Sequence, residues 1–282
     1  MTRADTHPPD TPAVIPGRYD RGVARVFKLL TGRMVRKRFH ALRLTPGSID
    51  SLSALDRDDT PLIVAMTHAS WWDPILGITL HTRLTPARTG CAPIDRDVLT
   101  NVGIFRRLGL FGIDPDDPRT LRVLVDYAAE RLSTDARPTL WITPQGRFQD
   151  PRDAMVVRPG VAAIAARLGR VRVMALAAEM PFWDDQKPEL LAHLAPIDPP
   201  GDTGSTRAWH RSIRDGLRGA SDRLAELAIA RDPAAFEVLL GSGSGRTIPF
   251  YDLYLSLTGR STAAIRTRGL GDEAPPTTGR HA

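Results

Sequence analysis

The sequence predicts an α/β fold: a mostly parallel central sheet flanked by helices, with an N-terminal basic amphipathic helix and disordered termini. Three observations carry this. Short apolar runs of strand length alternate along the chain with stretches of helical periodicity, the order that builds parallel sheets. Several helical stretches open on proline, which suits the first helical turn. With 42% hydrophobic residues over 282 positions, the chain can bury a sizeable core.

Taken in order, residues 1–17 are rich in Pro, Thr and Asp and predict a disordered arm. Residues 18–45 form the basic amphipathic segment. Val23, Phe27, Leu30 and Met34 fall on one narrow arc of a helical wheel, with Arg21, Arg25, Lys28 and Arg36 opposite. Two readings stand close to even: a helix with an ordinary core face and a solvated charged face, or a helix lying in a membrane interface. The run Arg36-Lys37-Arg38 tilts the balance toward an anionic surface. Residues 46–260 form the main domain.

After a loop at Pro46-Gly47, residues 61–66 read as a buried strand, and Asp73-Pro74 opens a helix running to about Leu84, with Asp73 as its N-cap. Residues 88–116 read as loop with a short helix near 101–108. Asp117-Pro118 opens another helix, striped by Leu121, Leu124, Val125, Ala128 and Leu132. Residues 139–142 are a strand followed by the turn Pro144-Gln145-Gly146-Arg147. Arg158-Pro159-Gly160 opens an alanine-rich helix ending at Gly169, and residues 171–178 are a strand. Beyond Pro181 the signal weakens to a loop over 196–204 and a long helix over 206–231. Gly241-Ser242-Gly243-Ser244-Gly245 lacks the lysine of a phosphate loop and reads as a flexible linker, and residues 261–282 as a disordered tail.

A single cysteine, Cys91, excludes an internal disulfide framework and suits a reducing compartment. No run approaches the roughly 18 apolar residues of a membrane span. The net charge of +6 is carried mostly by arginine and suits a surface facing anions. Neither zinc-finger spacing nor an aromatic-basic sheet signature is present, so nucleic acid is not an expected partner.

The candidate chemistry lies in Thr67-His68-Ala69-Ser70-Trp71-Trp72-Asp73, between a strand end and a helix start. Open α/β sheets bind ligands at that edge. A neutral imidazole accepts a proton from a hydroxyl only when its other nitrogen carries the hydrogen. A carboxylate bonded to that N–H sets the tautomer and stabilises the imidazolium. A regular helix would hold residues five apart about 140° from each other; a tight turn can join them. On these two residues alone the plainer reading stands ahead, with Asp73 a helix cap and His68 a satisfied core histidine. Ser70 completes a possible Ser-His-Asp set, but the Gly-x-Ser-x-Gly elbow is absent. Cys91 reads as a small buried hydrophobe. Arg96, Arg106 and Arg107 read chiefly as solvated surface.

His68 and Asp73 at this spacing, with Pro144-Gln145-Gly146-Arg147 at a second strand end, resemble the 1-acylglycerol-3-phosphate acyltransferase (lysophospholipid acyltransferase) family. Its first motif, Asn/Thr-His-four residues-Asp, is matched by Thr67, His68 and Asp73. Its third, Phe-Pro-Glu-Gly-Thr-Arg, is replaced by Thr143-Pro144-Gln145-Gly146-Arg147-Phe148. Gly109-Leu110-Phe111-Gly112-Ile113-Asp114-Pro115 resembles the second, and residues 171–178 the fourth, with Ala177 or a neighbour where proline is usual. The resemblance spans roughly residues 55–190.

It implies an α/β acyltransferase in which His68, oriented by Asp73, deprotonates the hydroxyl of a lysophospholipid or other lipid-like alcohol that attacks an acyl thioester. It further implies acceptor binding by Thr67, Gln145, Gly146 and Arg147, and a second-motif or headgroup role for Gly109, Phe111, Asp114 and Arg119. Trp71 and Trp72 are acyl-channel candidates, with packing expected for at least one. The co-substrate would be acyl-CoA or acyl-carrier protein, with no bound cofactor and no metal. Partners would be the lipid acceptor, acyl-carrier protein and a membrane surface, with a cytoplasmic location peripheral on the inner membrane face. Glutamate is replaced by Gln145 and the second-motif arginine by Pro115, with Arg119 or Arg107 as substitutes; an acceptor other than a simple glycerol phosphate follows. An esterase or thioesterase and a non-catalytic lipid-binding member are the alternatives.

Overall fold

The structure, a computed structural model, describes residues 14–114, 117 and 119–241. The expected tail over 261–282, most of the 241–245 linker, residues 1–13 of the arm, Pro115 and Pro118 lie outside the described residues. The elements are α1 (Arg21–Arg38), β1 (Ala41–Leu44), α2 (Ser48–Ala54), β2 (Leu62–Met66), α3 (Asp73–Leu84), β3 (Thr89–Asp95), α4 (Arg96–Asn101), β4 (Leu110–Ile113), α5 (Thr120–Thr134), β5 (Pro138–Ile142), α6 (Gly160–Leu168), β6 (Arg172–Glu179), β7 (Leu190–Ile197), α7 (Thr206–Ala230) and β8 (Glu237–Gly241).

The strands form one sheet in the order β4-β3-β5-β2-β6-β7-β1-β8. Neighbours pair in parallel except β6 with β7 and β1 with β8. The expected mostly parallel sheet is therefore observed, and β2 to β6 all end on one edge. Both β2 and β5 are buried along their whole length, as continuous apolar runs must be when helices cover both faces. Val64 and Met66 point toward Leu76, Leu80 and Val35, whereas Ile63 and Ala65 join the cluster containing Val161, Leu217 and Leu224. The long α7 turns Trp209, Ile213, Leu217, Ala220, Leu224 and Ala228 inward at spacings of three and four.

The short helix expected near 101–108 is present as a 3-10 turn, but residues 88–114 around it are not the loop expected. They hold β3, α4, a 3-10 turn (Gly103–Arg107) and β4 at the end of the sheet. Gly90, Pro93 and Asp95 break the apolar signature that an inner strand usually carries, and β3 and the edge strand β4 are each only partly buried. Gly109 enters β4 with φ +86, and a Cβ there would stand 1.9 Å from the Gly90 carbonyl oxygen. The expected disorder up to residue 17 gives way to an ordered strap: Ile15 and Gly112 exchange backbone hydrogen bonds of 3.0 and 2.8 Å. Gly17 passes so close that a Cβ would meet the Gly109 and Leu110 carbonyl oxygens at 2.5 Å.

The amphipathic helix also stops earlier than residue 45, because residues 41–44 are β1. Arg43 is buried there because its Nε donates to Glu189 at 3.0 Å, and Glu189 also accepts from His40 at 2.6 Å. The face that α1 buries is not the expected arc. Small residues Ala24, Thr31, Gly32 and Val35 face the fold, where a Cβ on Gly32 would strike the Arg83 guanidinium at 2.3 Å. Val26, Leu29 and Leu30 are instead exposed, Leu29 by 73%. Further on, α5 starts at Thr120 rather than Asp117, and β7 extends into the expected 196–204 loop as far as Ile197.

Two buried polar side chains tie these layers together. Arg88 is fully buried, and its donors reach Thr139 Oγ1 and the carbonyls of Leu55, Asp58, Thr60 and Pro138. All five N–H groups are used, as burial of a guanidinium requires. His81 contacts Tyr19 Oη at 3.1 Å through Nε2, and its Nδ1 accepts from Trp141 Nε1 at 3.3 Å. An indole only donates, so the proton sits on Nε2. Burial lowers the His81 pKa to about 3. Unfolding restores an ordinary imidazole, so stability is complete above about pH 6.5 and falls as pH drops toward 3, by up to about 1.4 kcal/mol per unit. Urea denaturation across pH 7 to 4 should show this fall, and His81→Gln should flatten it.

Candidate active site

Two adjacent parallel strands, β2 and β5, deliver the site residues to one edge of the sheet. His68 follows β2 by one residue beyond Thr67, and the turn 143–147 follows β5. His68 Nδ1 lies 3.0 Å from Asp73 Oδ2. An ionised carboxylate only accepts, so Nδ1 carries the hydrogen and Nε2 keeps its lone pair. Nε2 has no hydrogen-bond partner among the described residues, and the imidazole side chain is 18% exposed.

Asp73 itself is fully buried at the first position of α3. The N-cap position belongs to Trp72, so Asp73 is not the cap that the sequence suggests. Its Oδ2 turns back to accept from the Ser70 N–H at 2.8 Å, closing the His68–Asp73 turn. Oδ1 is buried with no donor among the described residues. The carboxylate's compensation therefore comes from His68, Ser70 and the helix N-terminus. Ser70 Oγ accepts from the Trp72 N–H at 3.1 Å and makes no bond to His68. That geometry gives Ser70 the role of a turn former rather than a nucleophile.

The turn after β5 grips the histidine backbone at both ends. Gln145 Oε1 accepts from the His68 N–H at 2.6 Å, and the Gln149 N–H donates to the His68 carbonyl at 2.8 Å. Gln145 Nε2 donates to Gln149 Oε1 at 2.6 Å, and Gln149 Nε2 to the Ala154 carbonyl at 2.6 Å. Gln145 is thus buried with both ends of its amide engaged inside the protein. Gly146 adopts φ +67, its N–H donates to the Thr143 carbonyl, and a Cβ there would lie 2.6 Å from Arg158 Nε. Arg147 and Arg158 are exposed and have no ion pair among the described residues. Phe148, 58% exposed, lies over the His68 ring at 4.3 Å between centroids.

Other sequence candidates fall elsewhere. Thr67 is buried, and its hydroxyl accepts from the Ala178 N–H at 3.2 Å, pinning β2 to β6. Phe111 is fully buried against Tyr127, its ring centroid 4.7 Å away. Gly109 stands at the start of β4, on the sheet edge opposite to His68, and Asp114 three strands away on the same edge. Arg119 is engaged by Asp117 at 2.9 Å and Arg107 by Asp20 at 2.6 Å. Cys91 is buried, which pushes its thiol up to about 12.

Trp71 and Trp72 diverge. Trp72 packs edge-on to Phe39 at 4.9 Å, whereas Trp71 is 64% exposed. Both line a cleft of about 480 Å³ with Met34, Arg38, Met180 and Phe182. It opens where the His68 turn, the end of β6 and the last turns of α1 meet. The sequence names Phe148, Arg158 and Met34 but not their part in the site, and it does not single out Gln149, because each acts through a fold-dependent contact.

Residues 48–178 match the family model described as Acyltransferase, a span that contains His68, Asp73 and the turn 143–158. The match supports an acyltransferase, and acyl transfer in general. No curated protein matches the chain.

Replacing Gln145 with leucine leaves the His68 N–H without its acceptor. The expected loss is about 1–3 kcal/mol in chemical denaturation, the cost of an unsatisfied buried donor.

Proposed function

Taking residues 48–178 as an acyltransferase segment, we propose that the chain transfers a fatty acyl group from an acyl thioester to the hydroxyl of a lipid-like alcohol. The observation that carries this reading is the 3.0 Å His68–Asp73 hydrogen bond, which leaves Nε2 free to accept a proton at the ligand-binding edge of the sheet. Asp73 holds the tautomer, and Nε2 takes the acceptor's hydroxyl proton. The alkoxide attacks the thioester carbonyl, the C–S bond of the tetrahedral intermediate breaks, and the imidazolium returns its proton to the leaving thiolate. No enzyme nucleophile takes part, consistent with the engagement of Ser70 Oγ by the Trp72 N–H.

The apolar cleft beside Trp71 and Trp72 suits the acyl chain. The family's acceptor contacts shift in this chain. Gln145 is committed to His68, so it positions the base rather than the acceptor. Arg158, laid against Gly146, and Arg147 in the same turn supply cations for a phosphate on either substrate. The donor is acyl-CoA or acyl-carrier protein.

Turnover of a long-chain acyl thioester with a lysophospholipid acceptor tests the chemistry. His68→Ala should lower kcat by about 10²–10⁴-fold. Asp73→Asn should lower it on a similar scale by permitting the wrong tautomer. Wild-type turnover by both folded variants would overturn the reading, as would equal thioester loss without acceptor. Arg158→Gln should raise KM for the phosphate-bearing substrate with little change in kcat, and separate donor and acceptor titrations identify which one. Gly146→Ala should reproduce that KM change by displacing Arg158.

A further inference from the structure

The outer face of α1 is built the wrong way round for a helix that only packs on a core. Its small residues face α3, while Val26, Leu29 and Leu30 stand 55%, 73% and 48% exposed ahead of its last two turns. The last turn and a half of the same helix is cationic, with Arg33, Arg36, Lys37 and Arg38 all exposed. At about 100° per residue, Arg33 and Lys37 project within roughly 20° of Val26, so the apolar and cationic parts share one side. None of these four cations has an ion pair among the described residues.

Apolar surface continues from α1 in both directions. Val23, Phe27 and Leu30 wall a second cleft of about 530 Å³ with Ile104 and Arg107. At the other end Met34 borders the cleft beside Trp71 and Phe182, which are 64% and 63% exposed. An apolar ridge with a basic margin, leading to the cleft lined by Trp71 and Phe182, matches the complementary features of an anionic bilayer: acyl chains for the ridge and phosphates for the margin. No helix among the described residues is long and apolar enough to cross a membrane.

We propose that the outer face of α1 docks on the surface of an anionic lipid bilayer, with the ridge seated among the acyl chains and Arg33 and Lys37 on the phosphates. Docking in this way turns the mouth of the Trp71–Phe182 cleft toward the lipid. The proposal is independent of the acyl-transfer reading, because it concerns binding in the absence of any substrate.

Deleting α1 would not test it, since Val35 belongs to the core. Point changes on the exposed ridge leave that packing intact. The full chain should float with vesicles of phosphatidylglycerol and phosphatidylcholine, and less with phosphatidylcholine alone. Val26→Glu with Leu29→Glu should reduce partitioning at least tenfold at an unchanged melting temperature. Arg33→Glu or Lys37→Glu should each reduce it about fivefold on anionic vesicles and hardly at all on neutral ones. Failure of the wild-type chain to float, or wild-type flotation by the ridge variant, overturns the proposal. So does sedimentation of the wild-type chain as a dimer that the ridge variant dissociates, which would assign the face to a second copy.

Discussion

A single buried carboxylate organises the functional end of this molecule. Asp73 is fully removed from solvent at the start of α3, and a buried charge must be answered by donors. The chain answers with the His68 imidazole and the Ser70 amide, both on Oδ2. This requirement folds residues 68–73 into a closed turn and fixes which imidazole nitrogen faces outward. The turn after β5 then fastens the histidine backbone through Gln145 and Gln149. The side-chain geometry and the main-chain geometry of His68 are thus set by different elements, so the ring has little freedom left.

The surroundings divide by chemistry. On the α1 and α3 side lies an apolar cleft walled by tryptophan, methionine and phenylalanine. Between β5 and α6 lie two arginines, Arg147 and Arg158, without carboxylate partners among the described residues. An amide at position 145 also has a physical sense. An amide both accepts from the His68 N–H and donates to Gln149, whereas a carboxylate could do only the first.

Much of the fold was legible because inner parallel strands must be apolar throughout. That rule located β2, β5 and β6, and the cap and proline signals located α3 and α6 to within a residue or two. The pairing of His68 with Asp73 was legible as a spacing, although the N-cap role assigned to Asp73 was not correct. Strands toward the two ends of the sheet were missed because their composition is mixed: β3 contains glycine, proline and aspartate, and β1 contains an arginine whose partner, Glu189, lies far along the chain. The buried side of α1 was misjudged because the wheel ranks residues by size and apolarity. Close packing on α3 selected small residues instead. Arg88, Phe148 and Gln149 were illegible, since their partners are defined only once the strands are ordered.

The strap formed by residues 14–20 has a consequence for solubility. β4 is the last strand on its side of the sheet, and such a strand offers unpaired backbone groups to any other chain. Ile15 occupies Gly112 on both sides of its peptide, and Tyr19 bridges to Leu108. The glycines at positions 17 and 109 let the two backbones approach closely enough for this cover to sit flat. A short leading segment of the polypeptide thereby acts as a guard against edge-to-edge assembly.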